Sequence, residues 1–149
     1  MNRRNFLMTA AGSAIAASPV FAATPRMQVL KSPTCGCCTA WIAHVESAGI
    51  GIDAQDVTQD VLWAAKDNAG ITPEISSCHT GFIEGYVIEG HVPAADIQRL
   101  LAERTDALGL TVPGMPIGSP GMEMGDQRDA FETLLVLHGG ETIVFERHS

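Results

Sequence analysis

The sequence is short of bases, of aromatic rings and of charge altogether. Nine Lys and Arg stand against seventeen Asp and Glu, a formal charge of −8, which argues against a surface built to hold nucleic acid through its phosphates. Aromatic residues make up only 5% of the 149 positions, so a core must come from Val, Ile, Leu and Ala, with the fifteen Gly supplying tight turns. Apolar residues at 46% exclude extended disorder as the main state and leave material for about one domain. There is no internal repeat, no phosphate-cradling Gly loop, no Ser-His-Asp order and no paired catalytic carboxylate. No apolar run reaches the ~20 residues that a bilayer span requires.

The first residues do have an organisation of their own. Arg3 and Arg4 precede Phe6-Leu7, an uncharged run extends from Met8 to Val20, and small residues close it at Ala22-Ala23. A positive start, a short apolar stretch and a small-residue cleavage site are the three parts of an export signal. Residues 1–22 are therefore read as a signal peptide and 23–149 as the mature domain; a permanent membrane anchor fits the short run less well. The Arg3-Arg4 pair resembles a twin-arginine signal, though ordinary secretory signals also carry such pairs. Removal of residues 1–22 takes away two arginines and no acid, moving the charge from −8 to −10.

In the mature chain, Met27 to Lys31 reads as a strand closed by Ser32-Pro33-Thr34. Cys38, Trp41, Ile42 and Val45 then follow the spacing of a helix with one buried face, stopped by Gly49. Ile50 to Val57 predicts a second strand, and Asp60 to Asn68 a second helix capped by Asp60 and ended near Gly70. Residues 80–89 hold two short strands around Glu84-Gly85, a hairpin signal. Pro93 suits the first turn of a third helix that carries Ile97, Leu100 and Leu101 inward through about Arg104. From Leu108 to Arg128 the chain holds five Gly and three Pro, too long for a plain connection and so read as a functional cover. Thr133 to His138 and Thr142 to Arg147 flank Gly139-Gly140 and predict a final hairpin. Trp41 and Trp63 read as core, His44 as solvent-facing, and His91, His138 and His148 as surface or structural residues.

All four cysteines lie in the mature chain: Cys35, Cys37 and Cys38 as C-x-C-C, and Cys78 forty residues on, followed by His79. The trio sits where the first helix begins, and unpaired N–H groups at a helix start favour a thiolate, the form that binds metal or attacks disulfides. The order β-α-β-α-β-β-α, with cysteines between the first strand and first helix, resembles a thioredoxin-like α/β domain. In such proteins the residues directly before the third strand pack against the cysteines at the helix start. By that resemblance Cys78 and His79 are brought beside the trio, with His79 in the slot that a proline usually fills.

Four blocks carry a closer resemblance: Lys31-Ser32-Pro33-Thr34-Cys35-Gly36-Cys37-Cys38; Ser77-Cys78-His79-Thr80; Tyr86-Val87-Ile88-Glu89-Gly90-His91-Val92-Pro93; and Val112-Pro113-Gly114-Met115-Pro116 with Gly118-Ser119-Pro120-Gly121-Met122-Glu123. Together they resemble the CopG-type family of exported copper-resistance proteins, over essentially the whole mature chain. The resemblance implies a thioredoxin-like domain in the periplasm that handles copper, with other periplasmic copper-handling proteins as partners and no nucleic acid or membrane. Cu(I) is soft and selected by thiolate and thioether sulfur. Cys35, Cys37, Cys38 and Cys78, with His79 as ligand or neighbour and Met115, Met122 and Met124 in the cover, form a sulfur-rich candidate set. Adjacent Cys37 and Cys38 do not easily share one ion with Cys35, which points to thiolates bridging several Cu(I) ions.

Three other readings stay open. Two structural disulfides suit an oxidising compartment, although C-x-C-C crowds three thiols at one point. Thiol–disulfide exchange fits Cys35 as attacking and Cys38 as resolving thiol, with Cys37 an unneeded competitor. Zinc accepts four cysteines, but adjacent ones strain a tetrahedral site. The three methionines equally suit gap-filling in a core.

Overall fold

The computed structural model describes residues 25–149; the predicted export signal over residues 1–22 lies outside the described residues. The elements are β1 (Arg26–Lys31), α1 (Gly36–Ser47), β2 (Gly51–Asp56), α2 (Gln59–Asn68), a 3-10 turn (Pro73–Ile75), β3 (His79–Ile83), β4 (Tyr86–Gly90), α3 (Ala94–Glu103), β5 (Gly109–Val112), β6 (Phe131–Val136) and β7 (Thr142–His148). Up to α3 the strands and α-helices follow the thioredoxin-like order β-α-β-α-β-β-α. One mixed sheet runs β2-β1-β3-β4-β5-β6-β7, with β1/β2 and β4/β5 parallel and the other pairs antiparallel. Among the described residues no helix is long and apolar enough to cross a membrane.

Strand alternation decides which residues meet which helices. Val29, Gly81, Ile88, Leu110 and Leu135 are partners across the sheet, and the apolar members of this row share a core with Trp41 and Val45 of α1 and Ile97 and Leu100 of α3. The neighbouring row, Leu30, Thr80, Glu89 and Thr111, turns to the other side, where α2 supplies Lys66 to Thr80 and Glu89. At Glu84-Gly85 both φ angles are positive, +47° and +88°, the two-residue turn that the hairpin signal predicts.

Several expectations need correction. Helix α2 starts at Gln59 with Thr58 at its N-cap, so Asp60 lies in the first turn rather than at the cap, where its charge still suits the helix dipole. Trp63 is 39% exposed: α2 buries Leu62 and Lys66, one turn apart, and that facing turns Trp63 outward. Pro93 is the N-cap of α3 rather than part of its first turn. His44 is half-buried, and its Nε2 accepts the Ala94 N–H at 3.1 Å, satisfying one of the donors a helix start leaves free. The Leu108–Arg128 segment opens with a fully buried strand, β5, which went unread because four residues within Gly- and Pro-rich sequence carry little periodicity to detect. Gly109 permits that strand, since a Cβ there would lie 1.8 Å from the Val87 carbonyl oxygen. The terminal hairpin forms, shifted to Phe131–Val136 and Thr142–His148.

Candidate metal centre

Helix α1 begins directly after Cys35, its N-cap, so Cys37 and Cys38 fall in the first turn. There the backbone N–H groups lack intrahelical partners and attract negative charge. Cys35 and Cys38 are three residues apart with Cα atoms 5.4 Å apart and are joined by a disulfide, while Cys37 and Cys78 are free. Cys38 is wholly buried with Trp41 and Val45 on the inner face of α1.

Cys78 enters from the loop before β3 and becomes the hub. Its Sγ lies 3.8 Å from Cys37 Sγ, 3.5 Å from Cys38 Sγ, 3.4 Å from His79 Nδ1 and 3.1 Å from His91 Nε2. Cys37 Sγ is 3.4 Å from Cys35 Sγ. All four sulfurs lie within 4.8 Å of one another, and Cys78, His79 and His91 form a second group of the same tightness. His79 points to the α1 side of the sheet, its ring 4.2 Å from that of Trp41, and its buried Nε2 has no hydrogen-bond partner.

His91, read from the sequence as a surface or structural residue, stands instead beside Cys78. It is fully buried, and its Nδ1 lies 2.8 Å from the Pro120 carbonyl oxygen. A carbonyl only accepts, so Nδ1 carries the proton and Nε2 presents its lone pair to Cys78. A signal for it was present: the tight Glu84-Gly85 turn sets Ile83 opposite Tyr86 and Thr80 opposite Glu89, and this register, carried two residues further, sets Cys78 opposite His91. His138 is a surface residue that meets the exposed Asp106, while His148 bonds Asp96 and stacks on Phe131.

The cover reaches the site through Pro120 and Gly121. Gly121 adopts φ +86°, and a Cβ on it would lie 2.7 Å from the Cys37 carbonyl oxygen and 2.7 Å from the Trp41 nitrogen, so the segment lies flush on the start of α1. Met122 follows, half-buried, whereas Met115 and Met124 are 51% and 55% exposed.

Burial sets the protonation of these groups. The Cys78 thiol is pushed up to about 12, first by desolvation and then by the neighbouring Cys37. The helix-start argument for reactive thiolates therefore does not extend to Cys78. Burial holds His79 well below the ordinary imidazole value, with His91 and Lys66 adding to the effect. His91 is also lowered by burial, partly offset by its bond to Pro120. Chemically this is a cluster of sulfur and neutral imidazole in which a soft cation finds lone pairs on nitrogen and displaces the thiol protons.

Two solved structures of proteins described as copper resistance protein CopG are similar to this chain. Form 2 is 42% identical with a TM-score of 0.78, covering 85% of this chain and 99% of that one. Form 1 is also 42% identical, with a TM-score of 0.77 and coverage of 83% and 96%. A family model described as a protein of unknown function, DUF411, matches residues 75–122, the stretch that holds Cys78, His79, His91 and most of the cover. No curated protein matches.

Proposed function

Because the chain belongs to the copper resistance protein CopG family, we propose that it binds copper as Cu(I) and serves copper resistance in the periplasm. The observation that carries this reading is the convergence on Cys78 Sγ of two other cysteines and two imidazoles at 3.1–3.8 Å. Cys35, Cys37, Cys38 and Cys78 are the sulfur ligands of the reading, His79 and His91 the nitrogen ligands, and Met115, Met122 and Met124 supply softer sulfur at the cover. His79 Nδ1 and His91 Nε2, both beside Cys78 Sγ, support the fit, since imidazole nitrogen suits copper as a ligand. The crowding of four sulfurs supports a polynuclear thiolate cluster over a single ion. The export signal predicted from the sequence of residues 1–22 supports the periplasmic location, with other copper-handling proteins there as givers or takers of the ion.

The Cys35–Cys38 disulfide favours a redox element. Closing it from two thiols releases two electrons and two protons, enough to take two Cu(II) to two Cu(I). The same pair supports a second reading, thiol–disulfide exchange with protein substrates.

Anaerobic Cu(I) titration of the reduced protein followed by native mass spectrometry separates these readings. More than one copper per chain is expected, falling sharply in Cys78→Ser while Cys35/Cys38 disulfide formation persists. Full copper binding by Cys78→Ser would overturn the assignment, and a maximum of one copper would overturn the polynuclear site.

A further inference from the structure

Behind the sulfur cluster, on the opposite side of the sheet, lies a charged group that copper binding as described does not use. Lys66 of α2 is 1% exposed and Glu89 of β4 is fully buried, and the two form an ion pair. A buried ion pair is seldom a net source of stability, because desolvation offsets the attraction and apolar residues of similar volume often do as well. The hydrogen bonds of this pair show what it holds. Glu89 Oε1 accepts the Ser77 backbone N–H at 2.6 Å, Oε2 accepts the Thr80 hydroxyl at 2.7 Å, and Lys66 Nζ lies 2.9 Å from the same Thr80 oxygen. Ser77 and Thr80 are the residues on either side of Cys78-His79, so one carboxylate grips both ends of the segment that delivers the hub sulfur. The fit is close from the other side as well: a Cβ on Gly90, next to Glu89, would lie 2.4 Å from Ser77 Cβ.

We infer that Glu89, charge-balanced by Lys66, is a positioning residue that sets where Cys78 Sγ stands relative to Cys37 and His91. The grip explains how a loop sulfur is held to a fixed place before any ion arrives. Strand alternation makes it possible: Thr80 turns to Glu89 and Lys66 while His79, one residue earlier, turns to Trp41. Only the copper arm of the test below rests on the proposed copper function.

The test uses the mature protein, metal-free and with the Cys35–Cys38 disulfide intact, in wild-type form, as Glu89→Gln, and as the charge-free double variant Lys66→Met/Glu89→Leu. Iodoacetamide labelling, mapped by mass spectrometry well below each Tm, reads Cys78 against Cys37. Loss of the grip lets the Cys78 segment open locally, so Cys78 is expected to label roughly tenfold faster in both variants with Cys37 unchanged. After reduction, Cu(I) affinity is expected to fall about 10- to 100-fold, the range seen when groups behind metal ligands are lost. The double variant guards against a folding defect, since it removes the unpaired charge that Glu89→Gln leaves behind. Wild-type labelling of Cys78 in a double variant that keeps its Tm would overturn the inference, as would equal acceleration at Cys37 and Cys78, the mark of general loosening. Should wild-type protein take up no Cu(I), the copper function falls while the labelling arm still decides the role of Glu89.

Discussion

Replacing Gly121 by alanine tests whether the cover is seated on the cysteine cluster at the start of α1. The added methyl would stand 2.7 Å from the Cys37 carbonyl oxygen and from the Trp41 nitrogen, well inside the ~3.5 Å at which non-bonded atoms pack best. Both atoms are helix backbone and cannot rotate away. A left-handed conformation costs an L residue about 1–2 kcal/mol, and overpacking adds about 1–3 kcal/mol. The chain relieves most of this by lifting residues 113–130 off α1, which also withdraws the Pro120 carbonyl from His91 Nδ1. A docking loss of about 2 kcal/mol raises the open population about thirtyfold. Hydrogen–deuterium exchange is therefore expected to accelerate by that factor across residues 113–130, with amides of β1 and β2 unchanged, and Cu(I) affinity is expected to fall because His91 loses its orienting acceptor. Exchange and Tm both equal to wild type would refute the reasoning, since they would mean that Gly121 does not touch α1.

Gly109→Ala meets a harder obstacle, the Val87 carbonyl oxygen at 1.8 Å, and is expected to abolish soluble folded protein, read by near-UV circular dichroism. The pH dependence of the metal-free protein has a definite sign on each side of neutrality. With Cys78 pushed up to about 12 from an ordinary 9.0, the unfolded chain gives up the proton first, so stability is present below 9 and is lost as pH rises toward 12; urea midpoints at pH 8 and 10.5 should diverge less in Cys78→Ser. On the acid side His79 and His91 are held neutral by burial, so the unfolded chain takes protons first and stability falls as pH drops through about 6.5; His79→Phe should flatten that slope.

Much of the fold was legible because local chemistry and periodicity agreed. Cys38, Trp41 and Val45 mark one face of α1, Glu84-Gly85 marks a two-residue turn, and Gly139-Gly140 marks the last hairpin. The failures over Trp63, His44 and His91 share a cause: they concern which way a side chain faces once its element is packed. Trp63 looked like core by residue type, but α2 presents Leu62 and Lys66 to the sheet. A lysine wholly inside the protein is a reading that composition argues against, and the buried Glu89 and Thr80 together make it tenable.

The site divides along the same line. The sequence by itself determined the sulfur-rich character of the chain and the clustering of Cys35, Cys37 and Cys38 at a helix start, since both follow from residue type and near-neighbour spacing. It also set the turn that pairs β3 with β4. Only the tertiary structure decided that Cys78 is the hub, that His91 faces it with a free lone pair, and that the cover lies on α1 through Gly121. Those contacts join residues that are 13 to more than 80 positions apart in the chain; distance along the sequence carries no direction, and a ligand's usefulness depends on where its lone pair points.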